Sequence, residues 1–266
     1  MDLFKGLYIH RFIIVHMERR KTWRQRLIGP NIQTKRHLFY EFIQHRTDIS
    51  HSLLTTIKAD MPRTYSDIEW FNGKRDAIQT LLVTYAAVHK GDSYLQGFNY
   101  TMSILYYVFH GAEHAEADTW WCFARIVGLI RPMMPDFNVA WFHWLRNRWL
   151  KEFHQKLYKK RPTIQTVLRN DYERFSSLIT IKWFMIWFAQ TVAFEEIFDL
   201  WDFFIQLPPH ALMQAYTMIT LEIIIEAAPT ITYQWSEQPT RLMHAILTLK
   251  VKKINRVLEK CRAQLK

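Results

Sequence analysis

The chain has 266 residues, of which 49% are hydrophobic and 15% aromatic, and it carries a formal net charge of +11. A chain of this kind buries a large core without metal or disulfide staples and is not disordered. Seven glycines, nine prolines and two cysteines, Cys122 and Cys261, leave no material for a disulfide framework, a four-thiolate zinc site or a turn-dense β-fold.

Charge is uneven along the chain. Residues 1–46 and 241–266 each net +7, the stretch between them nets −3, and residues 183–240 hold seven carboxylates with no Lys or Arg. Basic ends of this kind fit a solvated face, an acidic partner, an anionic membrane surface or a nucleic acid. The last lacks every reader signature: no zinc-finger spacing, RNP strand or basic zipper is present. The first 21 residues mix Lys5, His10 and Arg11 into an apolar stretch with no small-residue cleavage site after it. The apolar run Trp183–Phe194 stops after 12 residues at Glu195 and Glu196, short of the ~20 a bilayer core needs. A soluble, cytoplasmic protein is expected.

Helical periodicity then recurs along one continuous fold. Asp76–Lys90 places Ile78, Leu81, Leu82, Tyr85 and Val88 on one stripe. Asn72-Gly73 falls in a loop between helices. Thr119 is the expected N-cap of WWCFARIVGLI, which Arg131-Pro132 ends, because the residue before proline avoids helical geometry. Thr163 opens a helix after Pro162, and Ser177 opens LITIKWFMIWFAQ. Pro208-Pro209 separates a helix around Glu195–Ile205 from one over Ala211–Ala227. In the last segment Leu247, Val251, Ile254, Leu258 and Cys261 form a single apolar seam. With fewer than three heptads this reads as a docking helix and not a coiled coil. The pattern predicts an all-α fold.

Several chemistries are absent. There is no GxxxxGK[ST] or GxGxxG loop, so the chain has no nucleotide cradle of its own, and no Gly-x-Ser-x-Gly elbow. His110-Gly-Ala-Glu113-His114 matches the HxxEH order of inverted zinc proteases. It lies in an acidic loop without a third ligand motif, which reads as a solvated inter-helix loop and not a metal site.

Two segments 33 positions apart are less ordinary: Ile57-Lys-Ala-Asp60-Met-Pro-Arg63-Thr64 and Tyr94-Leu-Gln96-Gly97-Phe98-Asn99. The second opens the apolar helix that runs to Phe109. Trp183–Phe204, which contains the Trp201-Asp202 pair, follows in order. With these three blocks the sequence resembles the TBC domain, the Tre-2/Bub2/Cdc16 family of GTPase-activating proteins for Rab GTPases. That family carries IxxDxxR, YxQG and a tryptophan-rich helix leading into a WD pair. ERRKTW, ending at Trp23, is similar to a reduced form of its opening arginine-and-tryptophan element. The family's Gly-Ile-Pro opening is missing. Ala193 and Tyr65 stand where it usually has Pro, Phe98 where it has Met, and Asp199 where an arginine commonly precedes the WD pair.

The resemblance implies a single large helical TBC-type domain over 1–266. Its two helical lobes would lie at about 1–134 and 135–240, followed by a basic C-terminal helix over 241–266. It implies an activator that completes the active site of a GTP-bound Rab-type GTPase in trans and is not an enzyme by itself. The chain would need no cofactor, because the GTPase brings GTP and Mg²⁺. Arg63 would be the arginine finger and Gln96 would replace the GTPase's own glutamine. Asp60, Tyr94, Gly97 and Asn99 would support them, with Asp60 three residues before Arg63 and able to share its helix face. Trp183, Trp201 and Asp202 would be scaffold. The setting would be vesicle trafficking, in the cytoplasm and peripherally on endomembranes.

The residue types suit the chemistry independently. Phosphoryl transfer to water spreads charge over the γ-phosphate oxygens and the β–γ bridge, and the water must be held in line. A guanidinium stabilises that growing charge, while an amide accepts from the water and donates to the phosphate. Two other readings stay open: an idle TBC scaffold that binds a GTPase or another partner, and a basic helical nucleic-acid-binding protein.

Overall fold

In the computed structural model the described residues are 15–89, 94–130, 150–160, 162, 183–235, 249 and 251–264. Helices dominate them, and their one β feature is an isolated parallel bridge between Val192 and Val251. The all-α reading holds. The chain divides into two compact units, Met1–Leu129 and Ile130–Lys266, each described by itself. Among the described residues no helix is long and apolar enough to cross a membrane.

The described part of the first unit begins with α1 (15–23), which runs into a π-helical turn, Arg24–Ile28. Then follow α2 (Ile32–His45), α3 (His51–Asp60), short 3-10 turns Met61–Arg63 and Glu69–Lys74, α4 (Arg75–Val88), α5 (Phe98–Phe109) and α6 (Ala115–Ile130). The α4 stripe is buried at Ile78, Leu81, Leu82 and Tyr85, with Val88 half-buried, and α4 packs on α5, α3 and α2. Asn72-Gly73 belongs to the second 3-10 turn. Trp23 of ERRKTW is fully buried.

Several described basic residues of the N-terminal stretch make internal contacts. Arg20 donates to the carbonyls of Val108 and His110 at 2.5 Å each. Lys35 reaches Ile28 O at 2.6 Å. Arg36 forms a two-pronged pair with the fully buried Asp118, Nε to Oδ1 at 2.8 Å and Nη2 to Oδ2 at 2.7 Å. That bond raises the Arg36 pKa. Arg24 Nε lies 2.9 Å from the same carboxylate, outside hydrogen-bond alignment.

Asp118 also corrects one expectation. Thr119 is not an N-cap: α6 starts at Ala115, the Asp118 N–H bonds His114 O at 3.0 Å, and Thr119 is buried inside the helix. The carboxylate, drawn inward by partners more than 80 residues earlier, takes the first turn in with it.

In the second unit come α7 (Leu150–Lys160), α8 (Phe194–Gln206), a 3-10 turn Pro209–Ala211, α9 (Leu212–Trp235) and α10 (Ile254–Gln264). The helices expected to open at Thr163 and Ser177 lie outside the described residues, as do Arg131-Pro132 and Leu247. The helix expected over Ala211–Ala227 starts one residue later and runs on to Trp235.

The tryptophan-rich segment departs from expectation. Residues 183–185 are helical, but the chain does not continue as a regular helix: 186–191 turn, with Trp187 and Phe188 at φ 46° and 62°. The Phe188 N–H reaches back to Trp183 O at 2.7 Å, and Trp187 O accepts Trp201 Nε1–H at 3.1 Å. Trp187 and Trp201 meet edge to face, with ring centroids 5.6 Å apart. The left-handed pair is held by its buried rings and by that indole bond, which outweigh local helical preference.

The C-terminal seam docks inward. Ile254, Val257, Leu258 and Cys261 are buried where α10 packs on α8 and α9. Three contacts with the start of α8 fix it. Val251 N–H bonds Thr191 O at 2.7 Å and the Ala193 N–H bonds Val251 O at 2.9 Å. The Glu196 carboxylate accepts the Ile254 N–H, where a carboxylate suits a helix N-terminus. Asp199 Oδ2 accepts from Asn255 at 3.0 Å. Further along, burial pushes the Glu222 carboxyl up, but bonds from Lys160 (2.8 Å) and Lys260 (3.3 Å) outweigh it and hold it below its ordinary value.

Candidate functional site

Helix α3 starts at Ser50, whose Oγ accepts the Leu53 N–H at 3.3 Å. It loses its α-helical ladder at Pro62, which has no N–H to donate. The chain tightens into the 3-10 turn Met61–Arg63 and leaves it at Thr64, extended, with the Thr64 N–H on Met61 O at 3.2 Å. Tyr65 follows at φ 44°, buried, stacked on Phe71 at 5.0 Å and edge-on to Tyr100 at 5.1 Å.

Below this turn lies a closed ring of buried polar groups. Asp60, 5% exposed, accepts from Arg63 Nη2 on Oδ1 at 3.0 Å and from the Tyr94 hydroxyl on Oδ2 at 2.6 Å. Its backbone carbonyl accepts from Thr64 Oγ1 at 2.8 Å. The Thr64 proton is thereby used, so its oxygen takes the Asn99 Nδ2–H at 2.6 Å. That fixes which way the Asn99 amide points. Its Oδ1 accepts the Gly97 N–H at 3.1 Å and lies 3.0 Å from the Tyr94 hydroxyl. Burial and the bond to Asp60 push the Tyr94 phenol well above its ordinary pKa, so it stays a neutral donor.

The six residues singled out in the sequence are thus brought to one place, and the 57–64 and 94–99 segments are tied by side-chain bonds. Gly97, at φ 110°, is the N-cap of α5. A residue with a Cβ is strained there, and this turn sets Gln96 on the surface. Gln96 is exposed, and the Arg63 side chain is 67% exposed, restrained by Asp60 and by its Nε–H on Ala59 O at 3.2 Å. The expected Asp60–Arg63 pairing is present. One planar cation and one amide are therefore offered to solvent on a rigid, fully bonded base.

Three contributors escaped the sequence reading. Thr64 adjoins Arg63 in the quoted segment and was legible as a neighbour. Arg75 donates to the carbonyl of Met61 and to Asn72 Oδ1, and Tyr100 donates to the carbonyl of Arg63 at 3.1 Å; no spacing rule marks them.

The HxxEH string makes no ligand set. Among the described residues no group of three or more His, Cys, Asp or Glu could hold a metal ion. The His110 ring meets Trp70 edge-on at 5.3 Å, and His114 Nδ1 lies 3.2 Å from the Tyr40 hydroxyl.

Comparison with known proteins points one way. Residues 17–225 match the family described as the Rab-GTPase-TBC domain. TBC1 domain family member 13 of Mus musculus and that of Homo sapiens are each 23% identical over 146 residues, 48% of this chain and 33% of the relative. The matched part is about a third of the length of those relatives. The Ypt/Rab-GAP domain of Gyp1p has the same fold, with a TM-score of 0.67 at 14% identity, covering 94% of this chain and 92% of that one.

Proposed function

The chain belongs to the Rab-GTPase-TBC domain family, and on that premise we propose that it accelerates GTP hydrolysis by a GTP-bound Rab-type GTPase, supplying Arg63 and Gln96 in trans. The observation that carries the reading is the pair of exposed side chains, Arg63 and Gln96, rooted in the buried ring of Asp60, Thr64, Tyr94 and Asn99. The GTPase contributes GTP and Mg²⁺. Arg63 stabilises the charge that grows at the β–γ bridge, a role for a planar and permanently charged group. Gln96 accepts a hydrogen bond from the attacking water and donates to the γ-phosphate, which orients the attack. Asp60, Tyr94, Gly97 and Asn99 position these two and touch neither nucleotide nor water.

Asp199 sits in the second unit, where it accepts from Asn255 of α10. In the basic N-terminal stretch, Arg20, Arg24 and Arg36 are turned to internal carbonyls and to Asp118, which leaves fewer cations there for a nucleic acid.

The test is single-turnover GTP hydrolysis by a panel of purified Rab GTPases with the wild-type chain, Arg63→Ala and Gln96→Ala. Acceleration of about a hundredfold or more on at least one member, lost in both variants, is expected. Tight binding to a member without acceleration would replace the proposal with the idle-scaffold reading.

A further inference from the structure

Arg63 leaves the surface from a turn three residues long, and its two guanidinium bonds, to Ala59 O and to the buried Asp60 carboxylate, tie it to the end of α3. The direction in which the side chain projects depends as well on what holds the backbone beneath it.

Two side chains outside the family motifs grip that backbone. Arg75, the first residue of α4, donates from Nη1 to the carbonyl oxygen of Met61 and from Nη2 to Asn72 Oδ1 at 2.9 Å, so its fork is pinned at both tips. Met61 O also takes the Thr64 N–H, which uses both of its lone pairs. Tyr100, in the first turn of α5, donates its hydroxyl to the carbonyl oxygen of Arg63 itself at 3.1 Å. Its ring is held edge-on by Tyr65. The first and last residues of the turn are thus clamped from two different helices, and one of these helices is the one that Gly97 opens beside Gln96.

We propose that Arg75 and Tyr100 are positioning residues for Arg63, holding the two ends of its turn so that the guanidinium projects in one direction. The proposal rests on Arg63 being the group offered to the GTPase. Neither residue has to touch the nucleotide. Tyr100 also ties the Arg63 turn to the element that follows Gln96, so its hydroxyl fixes one finger relative to the other.

Two variants of the full chain test this. Tyr100→Phe removes the hydroxyl and keeps the ring on Tyr65. Arg75→Lys keeps the charge but cannot reach two acceptors as a fork does. The first readout is nitrogen-15 relaxation of the Arg63 Nε–H in the protein alone. The second is kcat and KM for the responding GTPase. Loss of order at Arg63 in both variants is expected, with kcat down ten- to a hundredfold and KM within about twofold. Unchanged order at Arg63, or a raised KM with kcat kept, would overturn the proposal. If the wild-type chain accelerates no GTPase, the functional reading fails, and the relaxation data alone decide whether this pair holds Arg63.

Discussion

Arg63→Lys is expected to cost nearly as much as Arg63→Ala, about 10³–10⁵ in the accelerated rate of GTP hydrolysis, or roughly 4–7 kcal/mol of barrier. Lysine keeps the charge, so a purely Coulombic role would survive. A guanidinium carries five donors in a plane, and here Nε and Nη2 already engage Ala59 O and Asp60 Oδ1. The remaining donors stay free to meet two oxygens together, whereas an ammonium on a flexible stem presents a single point. Because the Asp60 carboxylate is buried and loses its cation in Arg63→Ala, that variant is expected to lower the melting temperature as well, and Arg63→Lys to lower it less. Single-turnover hydrolysis beside thermal unfolding separates the two effects. A lysine variant that kept more than about a tenth of the activity would remove the planar-fork argument.

The largest stability effect is expected at Asp118→Asn, a loss of about 3 kcal/mol or more. The carboxylate is fully buried beneath Arg36, whose side chain is 12% exposed, and Arg24. An amide of the same shape leaves the two guanidinium groups facing each other without their shared anion. Removing one partner of a buried pair costs far more than the pair contributes, because the remaining charge stays desolvated. In thermal unfolding this corresponds to a fall of roughly 10 °C. A shift below about 2 °C would mean that solvent reaches the arginines and Asp118 is not the anchor of α1 and α2.

The helices were legible where an apolar stripe decides burial, as at Ile78, Leu81, Leu82 and Tyr85 in α4 or Ile254, Leu258 and Cys261 in α10. The six finger-region residues were legible because their types recur in fixed order. Thr119 was misread because α6 begins four residues earlier, at Ala115, and Asp118 in its first turn pairs with Arg24 and Arg36, remote in sequence, which a local cap rule cannot see. The turn at Trp187-Phe188 was hidden for the same reason. An aromatic run looks helical until the Trp201 indole claims the Trp187 carbonyl. Arg75 and Tyr100 left no trace because a carbonyl acceptor is present at every residue.

Substituting towards the family average is a common way to stabilise a domain, and at two places it would fail here. At Tyr65 the usual proline demands a φ near −65°, whereas this backbone sits at +44° next to Arg63. At Ala193 the φ of −57° would suit the ring, but proline would delete the N–H that bonds Val251 and so unfasten the strap that seats α10. These departures from the family pattern are adaptations of this chain to its own geometry. Anyone engineering it should leave both as they are.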